Sequence, residues 1–165
     1  MIHILVVDDD RQLTQSVCSY LNDCGYQTKG VLSAEAAYEA MYGDIYNLII
    51  SDIMMPGTDG FEFARTVRGL NKAIPILFMS ARDDLPAKQK GFDLGIDDYM
   101  VKPVDLSELL MRVRALLRRA NITVNAKSLM GLVTLALRDG MAVTILAQGE
   151  DEALAARTLA GLLGA

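Results

Sequence analysis

Apolar residues fall along this chain in two alternating rhythms. Short β-branched or aliphatic runs cover residues 2–7, 26–31, 48–51, 74–79 and 98–101. Between and after them, residues 10–23, 34–42, 61–69, 85–94 and 106–119 carry apolar positions three and four apart, the helical period. Strands that are apolar almost throughout belong in a parallel sheet covered on both faces, so helices are expected on both sides. Ser33 and Asp105 stand where helix N-caps belong, and Asp10 starts the first helix. Right-handed crossovers and short loops then make a doubly wound, five-stranded parallel α/β sheet the economical topology for residues 1–119.

The rhythm continues past residue 119 in a different texture. Residues 122–126 and 141–147 read as strands, and 128–138 and 150–163 as helices, a small β-α-β-α unit. No Pro- or Gly-rich spacer separates the two parts, so residues 120–121 form a short junction before a second unit at 122–165.

Composition narrows the function. A formal net charge of −5 argues against a phosphate-backbone partner, so no direct nucleic-acid contact is expected. Cys18 and Cys24 lie in one helical segment and read as packing thiols of a reducing compartment. With no leader-like start and no stretch long enough to span a bilayer, the expectation is a cytoplasmic protein without a membrane partner.

Candidate chemistry gathers at strand ends, where open parallel sheets bind ligands. The first strand runs into Asp8 and Asp9, the third into Asp52, the fourth into Ser80, and the fifth into Lys102 before Pro103. An acidic pair alone is ordinary turn chemistry; convergence of all four ends is not. Three carboxylates in one crevice repel each other unless a cation sits among them. Mg2+ suits such a set, because it takes hard oxygen ligands and typically one or two carboxylates with phosphate oxygens. His3, the only histidine, lies in the first strand away from these ends and reads as structural. Met54 and Met55 read as packing side chains, and Gly57 and Gly60 as turn residues.

The strings V-V-D-D, L-I-I-S-D-I-M-M-P-G-T-D-G, F-M-S-A-R and D-Y-M-V-K-P, in this order, resemble the response-regulator receiver family over residues 2–119. The resemblance implies a flavodoxin-like fold with Asp52 as phosphoacceptor and Mg2+ held by Asp8, Asp9, Asp52 and the backbone carbonyl of Met54. It further implies Ser80 and Lys102 on the phosphoryl oxygens, Tyr99 and Ser80 as the switch pair, and a cis bond before Pro103. The phosphoryl group would come from a sensor histidine kinase, and no catalysis is expected beyond the chain's own phosphorylation and dephosphorylation. Lys88 with Glu108, Asp97 with Arg119, and Asp98 with Arg112 match cross-subunit ion pairs of the subfamily that carries a winged-helix domain. A homodimer through that face is therefore expected, against the alternative that these charges are only solvated.

No winged helix is expected in residues 120–165. Residues 122–163 resemble instead the C-terminal half of the histidine-containing phosphocarrier protein of the sugar phosphotransferase system. That family's active histidine belongs to the half not seen here, which argues against a phosphocarrier. Ser128 matches its regulatory serine, although helix capping explains a serine there equally. A two-component switch is the first functional expectation. The second is a recombined or engineered chimera in which the receiver is mainly a scaffold, a reading that a displaced fifth strand or an occluded crevice would favour.

Overall fold

The computed structural model describes residues 2–120. Ten elements alternate strictly: β1 (His3–Val7), α1 (Arg11–Asp23), β2 (Gln27–Val31), α2 (Ala34–Gly43), β3 (Leu48–Ser51), α3 (Gly60–Leu70), β4 (Ile76–Ser80), α4 (Leu85–Asp93), β5 (Asp98–Val101) and α5 (Leu106–Arg119). All strands pair in parallel in the order β2-β1-β3-β4-β5. This is the expected doubly wound, flavodoxin-like sheet. The β-α-β-α unit assigned to 122–165, with Ser128, lies outside the described residues.

Alternation along the strands loads both faces. Leu5, Val7, Ile49, Ile76 and Phe78 pack with α2, α3 and α4 through residues such as Ala37, Phe63, Val67 and Ala87. Ile4, Val6, Leu48, Ile50, Leu77 and Met79 pack on the other side with Val17 and Leu21 of α1 and with Leu109, Val113 and Leu116 of α5. Each fully buried aliphatic of this kind contributes about 1.5–3 kcal/mol, so the central strands anchor the fold. Edge strand β2, with the sequence QTKGV, is largely exposed and correspondingly polar.

Each of the five described helices begins on a side-chain cap. Asp10 accepts from the amides of Gln12 and Leu13, Ser33 from Ala36, Asp59 from Glu62, Asp84 from Ala87 and Asp105 from Glu108. Two of these caps, Ser33 and Asp105, stand where the sequence pattern puts them, and Asp10, read as the first residue of its helix, is instead the cap just before it.

Three strands differ from the pattern in their limits, β2 by starting at Gln27 rather than residue 26. β4 begins at Ile76 rather than residue 74, because Oδ1 of Asn71 captures the amides of Ala73 and Ile74 and Pro75 has no amide to pair. It runs on through Ser80, whose carbonyl accepts from the amide of Lys102. β1 starts at His3, whose amide donates to Oδ1 of Asn47 at 2.8 Å.

Candidate functional site

The strand order reverses direction between β1 and β3, and in this topology the crevice beyond that reversal is where ligands bind. Asp8 follows β1, Asp52 follows β3, and Lys102 follows β5, so sequence-distant residues reach one rim. The ammonium of Lys102 lies 2.6 Å from Oδ2 of Asp52 and 2.8 Å from Oδ2 of Asp8. Carboxylate oxygens of Asp8, Asp9 and Asp52 come within 4.8 Å of one another. Asp8 is fully buried and Asp52 nearly so, whereas Asp9 faces solvent.

Backbone contacts fix these groups. The amide of Asp52 donates to the Val7 carbonyl at 2.8 Å, which ties β3 to β1 at the rim. Oδ1 of Asp52 accepts from the amide of Met54 at 3.0 Å, leaving Oδ2 to Lys102. Oδ1 of Asp8 accepts from the amide of Asp10 at 2.9 Å. Behind Asp52, Gly60 comes so close that a Cβ on it would stand 2.2 Å from the Asp52 carbonyl oxygen. Only a residue without a side chain lets α3 start against the peptide of Asp52.

The electrostatics follow from burial. Desolvation pushes the Asp8 carboxyl above its ordinary value, although the nearby Lys102 ammonium and the hydrogen bond from the Asp10 amide pull the other way. Burial alone would depress Lys102, yet its hydrogen bond to Asp52 and its ion pair with Asp8 outweigh that and leave it raised. Lys102 is therefore a firmly charged cation between two carboxylates. One lysine cannot satisfy the set: Oδ2 of Asp8 is buried, within ion-pair distance of Lys102 but outside hydrogen-bond geometry with it. A hard divalent cation with oxygen ligands fits that orphaned oxygen and its two neighbours.

Ser80 and Tyr99 meet at the peptide of Arg82. Oγ of buried Ser80 accepts from the Arg82 amide at 3.3 Å, and the Tyr99 hydroxyl donates to the Arg82 carbonyl at 2.6 Å. The Tyr99 ring is buried edge-on against Phe78, 6.3 Å between centroids. The Lys102-Pro103 bond is cis, as the resemblance implied. No hydrogen bond joins Ser80 to Asp52.

Other sequence candidates are placed as follows. Met55 packs in the core, but Met54 is 58% exposed beside Asp52 and lies outside the core, its amide turned inward to the carboxylate. Cys18 and Cys24 are free and half-buried. His3 sits at the opposite end of β1 from Asp8. Within the single chain Arg112 pairs with both Asp98 and Glu108, Lys88 with Asp83, and Asp97 with Arg68. Arg119 lines the same surface groove as Asp98, Glu108 and Arg112.

Three supporting residues were not singled out from the sequence. Thr14 Oγ1 donates to the Asp8 carbonyl at 3.1 Å, and its signal was a hydroxyl on the apolar face of α1 with Val17 and Leu21. The Ser51 hydroxyl donates to the Asp52 carbonyl at 3.0 Å. Arg82 serves through its backbone, which no side-chain pattern announces.

This crevice and fold define a receiver module, and comparison with known proteins agrees. The family model for the response regulator receiver domain matches residues 4–114, more than half of the chain, and the chain belongs to that family. A second model, the PTS HPr component phosphorylation site, matches residues 106–165, most of them outside the described residues. The heme response regulator HssR of Staphylococcus epidermidis is 40% identical over 131 residues, 79% of this chain and 58% of that protein. The transcriptional regulatory protein CiaR of Streptococcus pneumoniae is 42% identical over 120 residues, 73% of this chain and 53% of that protein. The chain thus matches between half and two thirds of the length of these relatives. Among solved structures, the receiver domain of the Francisella response regulator 1452 superposes with a TM-score of 0.68 at 31% identity, over 72% of this chain and 98% of that one.

The alternative of a receiver kept mainly as scaffold gains no support from these observations. β5 pairs in register with β4, and Asp9 leaves the crevice open to solvent. Among the described residues, no helix is long and apolar enough to cross a membrane.

Proposed function

We propose that the chain is a two-component switch in which Asp52 accepts a phosphoryl group from a phosphohistidine of a sensor kinase. Asp52 supplies the carboxylate oxygen that attacks phosphorus. The P–N bond breaks as the P–O bond forms, and the departing imidazole keeps its electron pair. Mg2+, when bound, would spread the charge of the transferring oxygens, held by Asp8, Asp9, Asp52 and the Met54 carbonyl. Lys102, already 2.6 Å from Asp52, offers the second positive charge without moving across the crevice. That contact is the observation on which the reading rests.

The response runs through Ser80 and Tyr99. A phosphoryl group on Asp52 gives the Ser80 hydroxyl a new acceptor, and Ser80 shares the Arg82 peptide with Tyr99. Motion of Ser80 therefore reaches Tyr99 through one peptide unit and changes the surface of α4, β5 and α5. We further propose that this face forms a symmetric homodimer, as in the winged-helix type of regulator, with Lys88, Asp97, Asp98, Glu108, Arg112 and Arg119 exchanging partners across it. The name of CiaR as a transcriptional regulatory protein is in keeping with that type. The organisation proposed is a receiver at 1–119, a junction at 120–121, and a phosphocarrier-like unit at 122–165, in keeping with the second family match. The chain then catalyses only its own phosphorylation and dephosphorylation.

Incubation with acetyl phosphate and Mg2+ tests the chemistry. Intact-mass analysis should show one phosphoryl group that is hydroxylamine-labile and absent from Asp52→Ala. A chain that takes up nothing, or takes it up equally in Asp52→Ala, would end the reading.

A further inference from the structure

α4 is seated on the molecule through two small residues. Only Ala87 and Gly91 of this helix are buried, so no large apolar side chain anchors it, while Leu85 and Phe92 point outward. The helix backbone itself lies on Phe78, for a Cβ at Gly91 would stand 2.8 Å from Cδ1 of Ile96 and 3.4 Å from two ring atoms of Phe78. Backbone contact through two small residues gives little resistance to sliding or tilting.

Two lysines bracket this weak seat. Nζ of Lys90 stands 4.1 Å from the centroid of the Phe61 ring, and Nζ of Lys88 stands 5.9 Å from that of Tyr99. Both rings touch Phe78 edge-on: Phe61 at 5.7 Å and 83°, Tyr99 at 6.3 Å and 81°. The three rings form one array under α4, with a cation from α4 at each end. At 4.1 Å the Lys90 contact is well within the range where a cation and an aromatic face attract. Lys88 is farther and is shared with Asp83.

We propose that the Lys90–Phe61 contact is a latch that sets the position of α4 and couples it to the loop carrying Asp52. Phe61 follows Gly60, whose amide donates to the Ile53 carbonyl at 2.9 Å and whose backbone presses on the Asp52 peptide. A shift of the Asp52 loop therefore displaces the Phe61 ring, and the ring is what Lys90 holds. This route reaches α4 from the α3 side, separately from the Ser80–Arg82–Tyr99 route. Its coupling to Asp52 rests on the phosphoacceptor reading; the latch itself does not.

A competing account is that Lys90, in the last turn of α4, only complements the helix dipole. A double-mutant cycle on the full chain separates the two. Hydrogen exchange at the α4 amides is measured in the unchanged protein, Lys90→Met, Phe61→Leu and the double variant, with Lys90→Arg as the conservative control. The latch predicts that each single variant speeds α4 exchange about two- to fivefold, the size of one cation–π contact. It also predicts that the double variant adds nothing further and that Lys90→Arg stays near the unchanged rate. Equal effects of Lys90→Met with and without the Phe61 ring overturn the latch in favour of the dipole. For the coupling, the Lys90 Hε resonances, shifted by the Phe61 ring, should move when intact mass shows acyl phosphate on the chain. Unmoved resonances in phosphorylated protein would sever the coupling, whereas absence of phosphoryl uptake would count against the function and leave the exchange result to decide the latch.

Discussion

Lys102 holds Asp52 through a 2.6 Å contact, and the same ammonium lies 2.8 Å from a carboxylate oxygen of fully buried Asp8. One lysine therefore offsets two carboxylates that would otherwise be buried beside each other. In the proposed reaction the same ammonium would also face the phosphoryl oxygens on Asp52.

Lys102→Met should destabilise the metal-free protein by about 3 kcal/mol, since removing one member of a buried ion pair leaves uncompensated charge. That corresponds to a fall in Tm of roughly 10 °C. Mg2+ at millimolar concentration should recover more of this loss in Lys102→Met than it adds to the unchanged protein, because the ion replaces the missing charge. Calorimetry with and without Mg2+ decides; an unaltered Tm would show that the carboxylates do not depend on the lysine.

Asp8 supplies a pH dependence with a definite sign. Burial raises its carboxyl above the ordinary value, so the folded state prefers the protonated form. Its contribution to stability is fully present below the ordinary carboxyl value and is lost as pH rises through the raised one. At neutral pH the ionised group is therefore a burden on the metal-free fold. Asp8→Asn should raise the neutral-pH Tm by about 3 °C, equivalent to about 1 kcal/mol. The same variant should flatten the loss of stability with rising pH on the acid side of neutrality and abolish stabilisation by Mg2+. Thermal melts across the acid range would refute this if Asp8→Asn tracked the unchanged protein throughout.

Gly60→Ala is expected to damage stability and chemistry together. The added Cβ would meet the Asp52 carbonyl oxygen at 2.2 Å, Cα of Ile53 at 2.6 Å and the carbonyl carbon of Asp52 at 2.9 Å, all of them backbone atoms. Backbone cannot turn aside as a side chain does, so a cost of about 3 kcal/mol is expected. Relief by moving the Asp52 peptide would displace the nucleophile and slow phosphoryl uptake about tenfold or more. Chemical denaturation and acetyl phosphate labelling are the two measurements, and a normal rate in a stable variant would show that the close approach is not needed.

Gly60 also marks how far the sequence could be read. Its place in D-G after β3 announced a turn, but nothing local announced the backbone it touches. The strands β1, β3 and β4 were legible because burial on both faces demands uninterrupted apolar runs, and the caps Ser33 and Asp105 because a cap acts within three residues. The convergence of Asp8, Asp52 and Lys102 was legible from the rule that strand ends share one rim. The charge pairing was not: Asp97 stands on the expected dimer face, yet its partner in the chain is Arg68, 29 positions away on α3. A long side chain reaching across two loops leaves no period in the sequence.

That arginine yields the last prediction. Nε of Arg68 donates to the Gly95 carbonyl at 2.7 Å, Nη1 to the carbonyls of Ile74 and Asn71, and Nη2 to Oδ2 of Asp97 at 2.7 Å. The same Asp97 oxygen accepts from the amide of Ile76 at 2.8 Å. The guanidinium thus ties the end of α3 to the start of β4 and to the loop entering β5, at the end of the sheet opposite the acidic crevice. Arg68→Ala leaves the part-buried Ile74 carbonyl, two more exposed carbonyls and a carboxylate without their donor and should cost about 1–2 kcal/mol. Arg68→Lys should recover less than half of this, because a single ammonium cannot reproduce a planar fork aimed at acceptors in different loops. Phosphoryl uptake at a temperature where both variants are folded should be unchanged, since none of these contacts reaches Asp52. Denaturant melts of the two variants check the clamp: equal stability of Arg68→Lys and the unchanged protein would mean that charge alone, rather than the fork, holds the two loops.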